Sequence, residues 1–301
     1  MKKEVLPISR SSSSSFPKWL RRTLPQGGGC FQTGAILEKY ETDTVCEQAK
    51  CPNRLSCYGN KTATFLALGK ACTRSCGFCD IDFAKNPLPI RTDEPSRIAL
   101  SVRDLGLKHV VITMVARDDL EDGGADALVK VVLEVRRVNP GVSVELLTSD
   151  FSGNIPALSH LLSVKPEIFN HNLETVQRLS PRIRHKASYR TSLLILQQAK
   201  KAKRALFVKS GLMLGLGEDS SEVEEALRHL RHVGVDLLTL GQYLQASPKK
   251  LRVKQFIPPE KFAAYKAYAL SLGFLHVHAA PFVRSSLNAR EVYQEIAPKM
   301  R

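Results

Sequence analysis

Six of the seven cysteines in this 301-residue chain lie between Cys46 and Cys79, in two triplets of different spacing. The second, Cys72-x3-Cys76-x2-Cys79, puts three soft donors on one short loop, with Phe78 between the last two. Three thiolates can bind three irons of a four-iron cubane and leave the fourth iron open. A structural zinc would need a fourth ligand, usually supplied by two Cys-x2-Cys knuckles, and only one such pair occurs. The first triplet, Cys46-x4-Cys51-x5-Cys57, fits neither a zinc ribbon nor a plant-type ferredoxin.

Such a loop works only if regular elements hold it. Residues 62–68 form a β-branched, apolar run of strand length that ends at Gly69, just before the second triplet. Beyond it, strand patterns at 109–114, 142–147, 168–171, 206–214 and 237–240 alternate with helical ones at 95–105, 125–138, 156–163, 189–203 and 221–233. Counting the first strand, six βα units imply an α/β protein with a parallel sheet, either a partial barrel or an open sheet. A short helix is expected at 34–43, and a helix at 259–272, a strand at 274–279 and a helix after Arg284 extend the fold. Polar clusters follow the strands, where chemistry gathers in parallel α/β folds. They are Arg117-Asp118-Asp119, Thr148-Ser149-Asp150, Asn170 to Glu174, Gly215 to Glu218 and Gln242-Tyr243. The Gly215 loop lacks a dinucleotide or phosphate-loop pattern and reads as a tight turn. His276 and His278 share a strand face but lack companions for a metal site.

Hydrophobic residues at 43% and charged residues at 24% are ordinary globular values. No apolar run is long enough to span a membrane. The start, MKKEVLPISRSSSSSFPKWLRR, is basic and Ser-rich without the apolar core of a secretory signal, so it reads as a flexible tail (1–20). A cytoplasmic, reducing compartment is therefore expected over an organellar matrix, with the cysteines serving metal or redox chemistry rather than disulfides. The net charge of +15 is uneven. From Thr175 to Gly217 there is no Asp or Glu, while Arg178, Arg182, Arg184, Lys186, Arg190, Lys200, Lys201, Lys203, Arg204 and Lys209 accumulate. Such a patch would attract an acidic partner, and the scarcity of interleaved aromatics argues against single-stranded nucleic acid.

Cys-x3-Cys-x2-Cys after the first strand of a βα series resembles the radical S-adenosylmethionine superfamily. The resemblance implies that the open iron chelates S-adenosylmethionine, whose reductive cleavage gives a radical that attacks unactivated C–H bonds. The first triplet is similar to the auxiliary-cluster motif of the lipoyl synthase family. Further phrases extend the likeness over nearly the whole chain: Pro17 to Arg21, Thr62 to Phe65, Asp122 to Gly124, Phe169 to Thr175, Lys209 to Met213, Leu240 to Leu244, Ile257 to Pro259 and Arg284 to Ser286. It implies a partial (βα)6 TIM-type barrel (62–245), with N-terminal (21–61) and C-terminal (246–301) extensions carrying an auxiliary [4Fe-4S] cluster. That cluster would be held by Cys46, Cys51, Cys57 and Ser286, and the S-adenosylmethionine cluster by Cys72, Cys76 and Cys79. Read locally, Ser285 and Ser286 would instead cap the last helix. Where the family usually has Tyr after the serines, this chain has Leu287.

Phe78 is placed to contact the adenine, and Asn172 and Glu174 the ribose or methionyl part, with loop packing and helix capping as rival roles. The implied reaction inserts two sulfurs, at the sixth and eighth carbons of an octanoyl chain on a carrier lysine, with the auxiliary cluster as donor. Implied partners are an octanoylated lipoyl carrier domain or glycine-cleavage H protein, reduced ferredoxin or flavodoxin, and an iron–sulfur carrier; neither membrane nor nucleic acid is expected. The basic stretch Arg178 to Lys209 is the expected carrier contact, tested by charge reversal at Lys200, Lys201 and Lys203. A tRNA methylthiotransferase would need an additional amino-terminal domain and an RNA-binding module, and a zinc-stabilised nucleic-acid-binding protein would carry no reducible iron chromophore.

Overall fold

A computed structural model of the chain describes residues 16–23, 28–205 and 207–300. Most of the expected tail, residues 1–15, lies outside the described residues, as does Leu206, where a strand was expected to begin. Three short helices, α1 (Gly29–Lys39), α2 (Val45–Gln48) and α3 (Arg54–Gly59), precede β1 (Thr64–Ala67). Two-residue strands β2 (Ala71–Cys72) and β3 (Asp82–Phe83) then pair in parallel on either side of the second triplet. The alternation continues through α4 (Glu94–Asp104), β4 (His109–Met114), α5 (Ala125–Val138), β5 (Ser143–Leu147), α6 (Ile155–Leu162) and β6 (Ile168–Asn170). After α7 (Ser180–Ile183) and α8 (Tyr189–Ala202) come β7 (Phe207–Leu214), α9 (Ser220–His232), β8 (Leu237–Gln242), α10 (Pro259–Ser271), β9 (His276–Ala279) and α11 (Ala289–Ile296).

The main sheet is parallel throughout, in the order β1-β4-β5-β6-β7-β8-β9. The strand expected beyond the sixth βα unit thus continues the same sheet as a seventh member. Strands β4, β7 and β8 are buried along almost their whole length, as sheets covered on both faces must be. In α5, Leu128, Val129, Val131, Val132 and Val135 are buried and face the sheet, while Lys130 and Arg137 face out. The free edge of β1 is covered by the N-terminal extension: Thr44 bridges Phe65 and the Leu66 N–H donates to the Asp43 carbonyl at 2.9 Å. The extension is therefore fixed to the barrel where the sheet remains open.

Helix α1 begins earlier than the 34–43 expected, at Gly29. Glycine disfavours helix, but a methyl group at position 29 would collide with the Gly59 backbone, so close packing of α1 on α3 overrides propensity.

The basic stretch is not one surface patch. Arg178 is paired with Glu222 and Lys200 with Asp236, while Arg184 and Lys209 are buried. Inside the barrel Lys209 Nζ meets Glu145 at 2.9 and 3.1 Å, and Asn170 Nδ2 donates to the same carboxylate at 2.8 Å. Burial opposes ionisation of Glu145, but Lys209 and His109 prevail and hold its pKa below the usual range. Lys209→Met should therefore lower unfolding stability by about 3–5 kcal/mol in a urea titration, because it leaves a buried carboxylate unpaired. Adding Glu145→Leu should recover much of that loss.

Candidate functional site

The loops at the carboxyl ends of the strands enclose a cavity of about 480 Å³. Cys72, Cys76 and Cys79 line it from one side and Cys46, Cys51, Ser285 and Ser286 from another. Cys57, on α3, stands just behind, within electrostatic range of Cys51 and Cys46.

The loop of the second triplet is clamped from three directions. The Gly77 N–H donates to the Ile183 carbonyl at 2.9 Å and the Leu251 N–H to the Gly77 carbonyl at 3.0 Å. The Ser75 N–H reaches His185 Nδ1 at 3.0 Å. At its base, Thr73 Oγ1 donates to the Ala116 carbonyl at 2.9 Å, and Arg74, buried, is paired with Asp118 at 2.6 Å and Asp150 at 2.7 Å. Two of the polar clusters expected after strands thus serve to fix this loop.

The first triplet meets the C-terminal segment through side chains. Asn53, between Cys51 and Cys57, accepts from Arg22 Nη1 at 2.7 Å and donates to the Phe282 carbonyl at 2.8 Å, and the Arg22 guanidinium sits 3.5 Å from the Phe282 ring centroid. Thr64 Oγ1 donates to Ser286 Oγ at 2.7 Å. The segment crosses the barrel mouth closely: a methyl group at Gly241 would collide with the Val283 carbonyl, and one at Gly211 would come within 3.3 Å of the Ser285 hydroxyl. Neither serine caps the last helix; α11 begins at Ala289 with Asn288 before it.

Asn172 and Glu174 do not cap a helix either. Asn172 Nδ2 donates to Glu174 Oε1 at 3.0 Å and Ser285 Oγ donates to Asn172 Oδ1 at 2.8 Å, so the pair lies between the two cysteine groups. Burial raises the Glu174 pKa, against the pull of Arg184 and Asn172. Phe78 lines the cavity and packs against the core at once. The Gly215 loop closes on itself, its N–H and that of Leu216 donating to the Glu218 carboxylate. His276 faces Glu295 at 3.5 Å, on the strand that α11 packs near.

The sequence reading missed Arg184. Assigned to a surface patch, it is a buried cation on the cavity wall, donating to Ser192 Oγ at 2.8 Å. Beside it His171 is buried between the Thr148 carbonyl and the Ser192 hydroxyl, and burial, followed by the Arg184 charge, pushes its pKa down to about 4. The place of His171 directly after β6 is a local signal, whereas Arg184 follows α7 and has none.

The donor chemistry fits iron–sulfur clusters. All seven cysteines are free, and burial raises the thiols of Cys46 and Cys79 to about 12 and those of Cys57 and Cys76 upward as well. These sulfurs stay protonated near neutral pH unless a metal takes the proton's place. Among the described residues no three His, Cys, Asp or Glu side chains converge as a single metal ion requires. A cubane asks less convergence, since each thiolate binds its own iron. Among those residues, too, no helix is long and apolar enough to cross a membrane.

The profile of the Radical SAM superfamily matches residues 66–230, which puts this α/β barrel and its cysteine loop among the radical S-adenosylmethionine proteins. Solved structures agree on the fold: methylornithine synthase aligns with a TM-score of 0.54 at 14% identity, over 90% of this chain and 87% of that one. The FeFe-hydrogenase maturase of Carboxydothermus hydrogenoformans aligns with a TM-score of 0.51 at 14% identity, over 77% and 66%. Curated relatives are far more similar. The lipoyl synthase of Protochlamydia amoebophila (strain UWE25) is 57% identical over 92% of this chain and 86% of its own length, and that of Chlamydia muridarum (strain MoPn / Nigg) 50% over 97% and 94%. The chain belongs to the lipoyl synthase family.

Proposed function

We propose that Cys72, Cys76 and Cys79 hold the [4Fe-4S] cluster that binds S-adenosylmethionine, and that Cys46, Cys51, Cys57 and Ser286 hold the auxiliary one. The function supported best is lipoyl synthesis: insertion of two sulfur atoms, at the sixth and eighth carbons of an octanoyl group carried on a protein lysine. The observation that carries this reading is the opening of Cys72, Cys76, Cys79, Cys46, Cys51 and Ser286 onto one cavity, with Cys57 just behind. When bound, the clusters and S-adenosylmethionine supply an electron, a 5′-deoxyadenosyl radical able to take hydrogen from an unactivated C–H bond, and sulfide.

The chain's own residues bind, orient and exclude water. Arg184, a cation on the cavity wall, suits the cofactor carboxylate. Asn172 and Glu174 offer acceptors to its ammonium and ribose hydroxyls, and Phe78 an apolar face to the adenine. Leu212, Met213, Val115 and Leu147 give the wall the apolar character an octanoyl chain needs. Anaerobic incubation with reductant, S-adenosylmethionine and an octanoyl-lysine peptide should yield a product heavier by two sulfurs in mass spectrometry. No thiolated product from fully reconstituted protein would overturn the assignment.

The acidic carrier is better served by cations other than Lys200, Lys201 and Lys203. Helix α8 runs back along the barrel, so its last turn lies by the amino ends of the strands, away from the cavity. Arg182 and Lys186, and Lys249, Arg252 and Lys254 in the loop after β8, are exposed beside cavity-lining residues. Reversal at Lys249 and Arg252 should weaken carrier binding roughly tenfold at low salt, with the difference fading as salt rises, whereas reversal at Lys201 and Lys203 should leave it unchanged. Titration of the carrier at two ionic strengths reads both. Reduced ferredoxin or flavodoxin as electron donor, and an iron–sulfur carrier that restores the auxiliary cluster, complete the proposed partners.

A further inference from the structure

Ser286 sits in an irregular segment between β9 and α11, and its side chain is short. A hydroxyl on such a segment becomes a defined ligand only if something outside the ligand set orients it. Its neighbour Ser285 is held toward the barrel side by Asn172, at 2.8 Å. Ser286 is held by Thr64, at 2.7 Å.

Thr64 is well suited to that task. It is the first residue of β1, 5% exposed, and β1 is pinned by β4 on one side and by the Thr44–Phe65 bridge on the other. Sites supported by regular strands hold geometry better than sites on loops. Thr64 also lies within electrostatic range of the Cys46 thiol. One rigid residue therefore adjoins a member of the first triplet and holds the distant serine. A valine would serve the strand and the packing equally well, so burial alone does not ask for the hydroxyl.

We propose that the Thr64 hydroxyl is a positioning residue for the auxiliary centre, orienting Ser286 Oγ toward the site of the first triplet. This rests on the reading of Ser286 as the fourth ligand. The hydroxyl makes no bond to iron; it fixes the direction of the one ligand that arrives from the far end of the chain.

The test uses the full chain with Cys72, Cys76 and Cys79 changed to alanine, so that iron is held at the auxiliary centre alone. After anaerobic reconstitution, iron loss to a chelator and the Mössbauer spectrum are recorded. Thr64→Val should lose iron about 10- to 100-fold faster than the parent, the usual effect of removing an orienting contact. Thr64→Ser, which keeps the hydroxyl, should stay within about twofold of the parent. Should T64V not fold, Thr64→Ala carries the same expectation. Parent-like iron loss without the hydroxyl, or T64S as fast as T64V, overturns the proposal. Ser286→Ala separates the two readings. If it leaves rate and spectrum unchanged, Ser286 is not a ligand; if it alters them and T64V does not, only the role of Thr64 fails.

Discussion

Cys76→Ala should abolish reductive cleavage of S-adenosylmethionine, by at least about 10³-fold, the scale on which removing one member of a catalytic unit acts. Cys76 is the middle donor of a loop tied on both sides, to Ile183 and to Leu251, through the adjoining Gly77. With the loop held so firmly, no other side chain can slide in to replace the lost sulfur. The neighbouring His185 is itself tied to the loop, its Nδ1 accepting from the Ser75 N–H at 3.0 Å. The fold should survive, because the thiol is a minor part of the loop's attachment. Iron per chain should fall from about eight to about four, with the remainder on the first triplet. Release of 5′-deoxyadenosine, followed by chromatography, checks the first claim and iron analysis the second. Undiminished cleavage would remove Cys76 from the ligand set.

Some elements were legible because their causes are local. The expected 109–114 strand and 125–138 helix coincide with β4, buried along its whole length, and α5, where burial follows the helical period. The division of the cysteines into two groups was equally legible, since spacing alone separates them. What stayed hidden depends on partners distant in the chain. Lys209 looked like a surface cation until Glu145, 64 residues earlier, met it inside the barrel. Lys200 became paired through Asp236, 36 residues later. Ser286 meets Thr64, 222 residues before it, and nothing local distinguishes that serine from a helix cap. Charge counted along a sequence therefore overstates a patch, and contacts made across the chain go uncounted.

The arrangement places two groups of like donors within one cavity but ties them to different parts of the fold. The second triplet hangs from the barrel loops after β1 and β4, through Arg74 and Thr73. The first is held by Asn53 and Thr64 to the C-terminal segment. The two triplets therefore have separate supports. Ser285, Asn172 and Glu174 form a hydrogen-bonded chain on the wall of the same cavity.

Cys51→Ala is the counterpart to the Cys76 variant and should separate the two activities in the opposite direction. Cys46 and Cys51 both line the cavity, but Cys46 is the more buried and Cys57 stands behind on α3, so loss of Cys51 removes the donor most open to a bound chain. The loop itself should persist, because the Cys51 N–H donates to the Cys46 carbonyl at 3.0 Å and Asn53 still bridges Arg22 and Phe282. 5′-Deoxyadenosine should continue to form with an octanoyl peptide present, while sulfur-bearing product falls to background, a loss of at least about 10³-fold. Ser286→Cys should give a graded result: a thiolate binds iron more softly than a hydroxyl oxygen, so iron is retained and sulfur delivery resisted. Mass spectrometry of the peptide and iron analysis of the protein distinguish these outcomes. Two-sulfur product from the Cys51 variant would exclude the first triplet as the place from which sulfur is delivered.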